Sequence, residues 1–508
     1  MGALAVAAII CLWVIPISII VNRIVPEPYM DEIFHIPQAQ QYCRGNFKSW
    51  DPMITTPPGL YCLSIVHVVS LFPGMYFIQA VPSLLELCTS AVLRFTNGVL
   101  AVFCGILIYE IVTHLSPSLD KRKATVQAVV LALYPLHWFF TFLYYTDVAS
   151  LTAVLAMYLA CLRKKFHISA LLGAVAVVIR QTNVVWVLFV VCTGVIDLGN
   201  ERNKIKVDGP LLSNRETGHA TMTSRITLGS NLKQRKSSGV VEIDNYSTSS
   251  QSAFLRTQSS GFLGEIQAII LKSWHIKWEL LVSFSPFIII LVSFVAFVHW
   301  NGGVVLGAKE AHAVSPHLAQ VMYYGLVSAL AMAPLHFSLA RAADLLCPFR
   351  KNKLLSFLQW LAVLTVGLVS VHFFSIAHPY LIADNRHYPF YLWRKVVNAH
   401  WLMKYLLVPL YVYSWFSIFN LLGKVRPKIW VLAYFLATAA VLIPAPLIEF
   451  RYYTIPFYFL VLHSPAVDSR SWLMMGILYM AVNVFTMMMF LFRPFQWDHE
   501  PGVQRFIW

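Results

Sequence analysis

The sequence predicts an all-α polytopic membrane protein, and three observations carry that reading. Hydrophobic residues make up 58% of the chain and charged residues 12%, against about 25% charged in a soluble domain. The apolar residues come in long blocks, as membrane-crossing helices require, not in the short alternating segments of a β-barrel. The basic residues gather in short loops between blocks: Lys121-Arg122-Lys123, Arg163-Lys164-Lys165, Arg350-Lys351 and Lys424 to Lys428. Basic loops of this kind face the cytosol. Topology therefore accounts for the net charge of +15, and nucleic-acid binding is not expected.

Taken in order, residues 3–25 form a first span. With no small-residue cleavage site it reads as an uncleaved signal-anchor. It exits to the lumen, and residues 26–80 form the first lumenal loop, whose Pro and Gly content argues against a long span there. Apolar runs follow near 84–115, 124–145, 147–162, 168–182 and 183–197. The last two are short enough to be tilted or re-entrant. Residues 198–262 are rich in Ser, Thr, Asn, Lys and Arg without apolar periodicity, which predicts a disordered cytosolic insert. It contains the triplet Asn245-Tyr246-Ser247, which stays unglycosylated if the insert never meets the lumen. Later runs lie near 277–300, 317–341, 354–377, 400–421, 428–447, 455–465 and 472–492. The total is about a dozen crossings, arranged as an N-terminal module (1–197), the insert (198–262) and a C-terminal module (263–508).

The eight cysteines include no CxxC pair, so no zinc or redox motif is supported. Cys43 and Cys62 share the first loop. They could pair if it is lumenal, although two free thiols are the simpler reading.

With the basic loops in the cytosol, four polar islands fall on the opposite side. They are "YMDEIFHIPQAQQYCRGNFKSWDPMITTPPGLY" (29–61), "HWNGGVVLGAKEAH" (299–312), "HPYLIADNRHYPFYLWRK" (378–395) and "PAPLIEFRYYTIP" (444–456). Each adjoins a span end, so all can line one cavity at the membrane face. Tyr380, Tyr388, Trp393 and Tyr452 have the composition of an interfacial aromatic belt. Arg386 and Arg451 can form loop ion pairs with Asp384 and Glu449, or grip a phosphate by forked hydrogen bonds. His35, His312 and His387 lack metal-ligand spacing and read as hydrogen-bonded imidazoles. Arg180, in "IRQTN" between two apolar runs, is costly unless paired or facing water, so a functional placement is expected. Snorkelling to the interface is the plainer alternative.

The first island, together with "RQTN", "HPYLIADNRHYPFYLWR", "EFRYYTIP" and the terminal "QRFIW", resembles the endoplasmic-reticulum α-1,2-glucosyltransferases that add the last glucose to the lipid-linked oligosaccharide. The insert suggests the plant form. The resemblance implies a GT-C-type glycosyltransferase in the endoplasmic reticulum membrane, with its active site facing the lumen. It implies a dolichyl-phosphate-glucose donor, a dolichol-diphosphate oligosaccharide acceptor, and inversion at the anomeric carbon. One departure stands out: the family often has an acidic residue between Gly and Lys or Arg in the second loop, whereas this chain reads Gly307-Ala308-Lys309.

A one-step inversion needs a base for the attacking hydroxyl and charge stabilisation for the departing phosphate. Asp31 is the first candidate for the base and Glu32 the second. Adjacent residues point in different directions, so they do not share the role. Alternatively Asp31 caps the helix that begins at "EIFHIPQAQQY", with Pro37 limiting that helix. Arg386, Arg451, His387 and Lys309 are candidates for the donor phosphate. His35, Gln38, Asp51, Asp384, Asn385 and Glu449 are candidates for sugar binding. No cofactor or metal is called for. The competing class is a secondary transporter with a lumenal vestibule, which internal repeats would favour; the first-loop motif has no convincing repeat in the second half.

Overall fold

A computed structural model describes residues 2–77, 84–213, 262–310, 314–344, 352–465, 468–498 and 500–508. His312, Arg350-Lys351 and Asn245, with most of the predicted insert, lie outside the described residues. Eight described helices are long and apolar enough to cross a membrane. Shorter apolar helices lie at Thr146–Leu162, Phe166–Ile179, Ala319–Ala331 and Lys428–Leu442. The chain is a multi-pass helical membrane protein. Ile289, Val292 and Val295 of the Lys277–Asn301 helix are largely exposed, as side chains facing hydrocarbon are.

Two ends of the bundle carry different chemistry. Thr146–Leu162 and Phe166–Ile179 form an antiparallel pair. At one end Arg180 bonds Asp147 at 2.7 Å; at the other Arg163 pairs with Glu110. The Arg163 end also holds Arg426 on Asp197 at 3.2 Å, and Glu265 accepting from the Lys428 amide at 3.0 Å. The four polar islands meet at the Arg180 end, called the site face below. The two halves of the chain pack on each other there and in the interior, where Asn483 donates to the Leu133 carbonyl at 2.8 Å and the Trp430 indole to Thr193 at 3.0 Å.

The first loop differs from its expected form in three respects. Pro37 lies inside the Glu32–Cys43 helix instead of limiting it. One backbone hydrogen bond is lost there, but Ile36, Ala39 and Tyr42 are buried, and tertiary packing outweighs the local preference. Gly59–Phe77 is a continuous helix with Pro73 inside, where Pro and Gly content predicts none. Its first residue, Gly59, lies against Val178 and Ile179, and Cys88, further along the chain, lies beside Cys43. A Cβ on Gly59 would lie 2.6 Å from the Val178 carbonyl oxygen, so only glycine allows that approach. Finally, Cys43 is bonded to Cys88, not to Cys62, which is free and exposed. Gln40 donates to the Cys88 carbonyl at 3.2 Å and helps to bring Cys88 beside the Cys43 helix.

The departure from an all-α fold is a short antiparallel hairpin, Phe495–Trp497 with Glu500–Gln504. The chain beyond it runs back across the site face.

Candidate active site

The site is assembled around Asp31. Met30 adopts a left-handed conformation, φ 56°, which is strained for a non-glycine residue and common near functional sites. It turns the chain into the Glu32–Cys43 helix. Asp31 occupies the N-cap position but makes no side-chain cap hydrogen bond. Its carboxylate instead accepts from Arg451 at 2.9 Å, and its amide donates to the Tyr145 hydroxyl at 3.2 Å.

Arg451 is the centre of a charged chain. It donates to Glu449 at 2.5 Å and lies 3.9 Å from Asp147. Asp147 in turn accepts from Arg180 at 2.7 Å, and Arg180 stacks over Tyr452 at 5.4 Å. The Arg180 guanidinium gives no other hydrogen bond among the described residues, so much of its fork is uncommitted. The Asp31 side chain is 41% exposed and that of Asp147 7%; only the first opens widely to a substrate.

Burial pushes the Asp31 carboxyl up, but the Arg451 guanidinium outweighs it and holds the pKa below the usual carboxylate range. Glu449 behaves alike: burial raises it, and Arg451 more than compensates. For Arg451 burial is outweighed by Glu449, Asp31 and Asp147, which drive its pKa well above the ordinary value. Burial lowers the His35 pKa despite Asp31, so its imidazole is neutral at pH 7.

Glu32 holds a different position. It is fully buried and its oxygens accept from Arg94 Nε at 2.9 Å and Nη2 at 2.6 Å, and from the amides of Tyr29 at 3.1 Å and Tyr144 at 2.6 Å. Arg94, 1% exposed, also donates to Asn22 and to the carbonyls of Val25 and Glu27. This gives Glu32 the geometry of a structural ion pair that ties the first loop to the bundle and fixes Asp31 beside Tyr145.

The remaining candidates separate by location. Arg386 is forked onto Asp384 at 2.8–3.2 Å, donates to Gln504 at 2.9 Å and stacks over Trp497 at 4.6 Å. Asn385 accepts from the Trp497 indole at 3.0 Å. His387 Nδ1 lies 3.1 Å from the Trp508 carbonyl, and the residue is close enough to lower both Asp31 and Glu449. Gln38 donates to the Ser49 carbonyl at 2.7 Å and accepts from the Asp51 amide at 3.0 Å, while Asp51 accepts from Met53 at 2.8 Å. Those two shape the first loop. Lys309 is exposed and donates to Asn301 of its own loop at 2.5 and 3.2 Å. Ala308, at φ 45°, donates its amide to the Pro52 carbonyl at 3.0 Å, and Leu306 to that of Thr55 at 3.2 Å. The second loop thus docks on the first by backbone.

The "QRFIW" segment joins three islands. Tyr29 donates to the Arg505 carbonyl and accepts from the Arg505 amide, both at 2.7 Å. Ile507 bonds Arg386 and Tyr388 through backbone at 2.9 and 3.1 Å, and Trp508 packs near Phe450 at 6.3 Å. Sequence reasoning passes over Asp147, Arg94 and Tyr145. Asp147 carried a signal, since it stands at the break between two apolar runs, where a carboxylate is expensive without a role. Among the described residues no cluster of three or more His, Cys, Asp or Glu has the form of a metal site.

Fold and site together define a multi-pass helical membrane protein with a network of carboxylates and guanidinium groups at one membrane face. The chain belongs to the DIE2/ALG10 family, whose model matches residues 25–462. It is 60% identical to the Dol-P-Glc:Glc(2)Man(9)GlcNAc(2)-PP-Dol alpha-1,2-glucosyltransferase of Arabidopsis thaliana, over the full length of both chains. It is 33% and 32% identical to proteins of the same description from Mus musculus and Homo sapiens, over 96% of this chain and 94% of each relative. No solved structure matches it.

Proposed function

We propose that the chain transfers glucose from dolichyl-phosphate-glucose to the lipid-linked oligosaccharide. It forms the terminal α-1,2 linkage with inversion, in a GT-C-type frame, at the lumenal face of the endoplasmic reticulum membrane. The observation that carries the reading is the continuous chain Asp31–Arg451–Asp147–Arg180. It sets an accessible carboxylate beside guanidinium groups at a membrane face, where a lipid-linked phosphate can keep its tail in the bilayer.

In this mechanism the acceptor 2-hydroxyl attacks the anomeric carbon opposite the phosphate. Asp31 takes its proton as the new C–O bond forms. The C1–O bond to phosphate breaks, and dolichyl phosphate leaves with the electron pair. Arg180, with its uncommitted fork, and Arg451 stabilise that developing charge, with His387 at the edge. Arg386 supports the third loop through Asp384 and the terminal hairpin. Glu449 sets Arg451, and His35 faces the sugars. Gln38, Asp51 and Asn385 act through loop shape. Lys309 has no support as a phosphate ligand. The transporter reading has no observation in its favour.

The test is reconstitution of the purified chain in liposomes with donor and acceptor. The expected product is an acceptor longer by one α-1,2-linked glucose. A folded chain that makes none with both substrates present overturns the proposal. Arg180→Lys should cost far more turnover than thermal stability, because a point charge cannot replace the fork.

A further inference from the structure

The His35 ring nitrogen Nδ1 lies 2.6 Å from the Tyr61 hydroxyl. Tyr61 is 1% exposed, enclosed by Tyr42 at 5.5 Å and Trp50 at 6.1 Å between ring centres. Among the described residues His35 is the sole hydrogen-bond partner of that hydroxyl. The arrangement decides the tautomer. If Nδ1 carried the hydrogen, the Tyr61 O–H would be a buried donor with no acceptor, which native structures avoid. Tyr61 therefore donates, Nδ1 accepts, and the imidazole hydrogen sits on Nε2. Nε2 has no hydrogen-bond partner among the described residues. His35 follows Asp31 by four residues, on the same side of the Glu32–Cys43 helix, and lies within the field of Asp31, Arg451, Asp147 and Arg180.

We infer that Tyr61 is a positioning residue that fixes His35 as a neutral Nε2–H donor, and that this donor binds the acceptor sugar beside its reacting hydroxyl. The inference rests on the proposed function and deepens it. Asp31 accepts and His35 donates from neighbouring turns of one helix face. Adjacent hydroxyls on a pyranose ring match such a pair: one gives its proton to Asp31, and the oxygen next to it receives the Nε2 hydrogen bond. A carboxylate alone would accept from many hydroxyls; the paired donor selects a ring presented in one orientation.

The test uses the full-length chain in liposomes, with the KM for the lipid-linked oligosaccharide and for dolichyl-phosphate-glucose measured separately. A glutamine amide nitrogen can stand where Nε2 stands, and an asparagine amide where Nδ1 stands. His35→Gln should keep the acceptor KM within about threefold of the parent, and His35→Asn should raise it about tenfold or more, the range one or two hydrogen bonds span. Tyr61→Phe should raise the acceptor KM about three- to tenfold, as loss of one neutral hydrogen bond does. It should have no further effect in the His35→Gln background, where no tautomer needs fixing. The donor KM should not move in any variant. Equal acceptor KM values in His35→Gln and His35→Asn overturn the inference, as does an undiminished Tyr61→Phe effect in the His35→Gln background. If Tyr61→Phe lowers the unfolding temperature, the two His35 variants decide alone. An inactive parent chain would instead count against the proposed function.

Discussion

Asp31 and Glu32 are adjacent carboxylates, and their amide replacements should fail in opposite ways. Asp31 is 41% exposed on its side chain and touches one cation, Arg451. Asp31→Asn keeps the shape and loses the proton acceptor. General-base assistance is worth about 10²–10⁴ in rate, so turnover should fall by that order. Stability should change by about 1 kcal/mol or less, the range for a partly exposed ion pair. Asparagine is also a good helix cap, so a capping role would leave the variant nearly silent. Glu32 is the reverse case. Its two oxygens accept four N–H groups and it is fully buried against Arg94. Glu32→Gln places an amide N–H₂ against those donors and leaves the Arg94 charge unpaired. Breaking a buried pair costs about 3–5 kcal/mol, a large part of the 5–15 kcal/mol that roughly bounds domain stability. The assay is glucose transfer by each purified variant, with detergent thermal unfolding alongside. The reasoning is refuted by a stable but inactive Glu32→Gln together with a fully active Asp31→Asn, which would move the base one residue along. Full activity in both variants would remove the first loop as its source. Replacing Glu32 and Arg94 together by methionine should recover part of the stability, because no buried charge then remains.

Four further outcomes follow from the geometry. Gly307→Ala should impair transfer, since its Cβ would lie 2.2 Å from the Pro52 carbonyl oxygen and 2.5 Å from that of Ile54, and backbone cannot yield; Ala308→Gly at φ 45° should be tolerated, and equal activity in the two would show that the loops do not need this contact. Gln504→Leu should raise the KM for donor with little change in unfolding temperature, because it removes one hydrogen bond between the hairpin and Arg386, whose fork stays on Asp384. Arg451→Gln removes the group that holds Asp31 low and leaves burial, which raises it; the acid limb of kcat/KM should therefore move to higher pH, with His35, His387, Glu449 and Asp147 as the neighbours that also act on the site. A chain made in microsomes should show no glycan shift that depends on Asn245, and such a shift would reverse the proposed sidedness.

Much of this arrangement could be read from residue types alone, because a membrane makes charge expensive. Polar islands at span ends had to meet at one face or the other, and Arg180 had to find a partner. The sequence did not show which islands touch. Arg451 and Asp31 are 420 positions apart, and their contact depends on how the two halves pack. Glu32 adjoins Asp31 in sequence but points elsewhere, and its oxygens accept from Arg94 and two backbone amides, none of which residue type alone reveals. Its partner, Arg94, lies within an apolar run, where a single arginine is easily taken for a snorkelling side chain. The Cys43–Cys88 bond and the continuous Gly59–Phe77 helix were hidden for the same reason: local Pro, Gly and Cys spacing was outweighed by contacts that form only when the first loop folds against the bundle.

In the proposed mechanism the charges of the site make binding order part of the chemistry. Asp31, Glu449 and Asp147 face Arg451 and Arg180, with His35 neutral, so carboxylates outnumber guanidinium groups before any ligand arrives. In that state Arg451 holds Asp31 ionised but weakly basic, which suits the resting protein and not the reaction. A donor phosphate is one more anion competing for the same guanidinium groups. Were it to take hydrogen bonds from Arg180 and Arg451, the hold on Asp31 would loosen and burial would push its basicity up. The carboxylate would then become a stronger proton acceptor only when the donor it is proposed to act on is in place. Ala308 fits this scheme. A further carboxylate in the second loop would add to an existing excess of negative charge, and the loop is already held to Pro52 and Thr55 by its backbone.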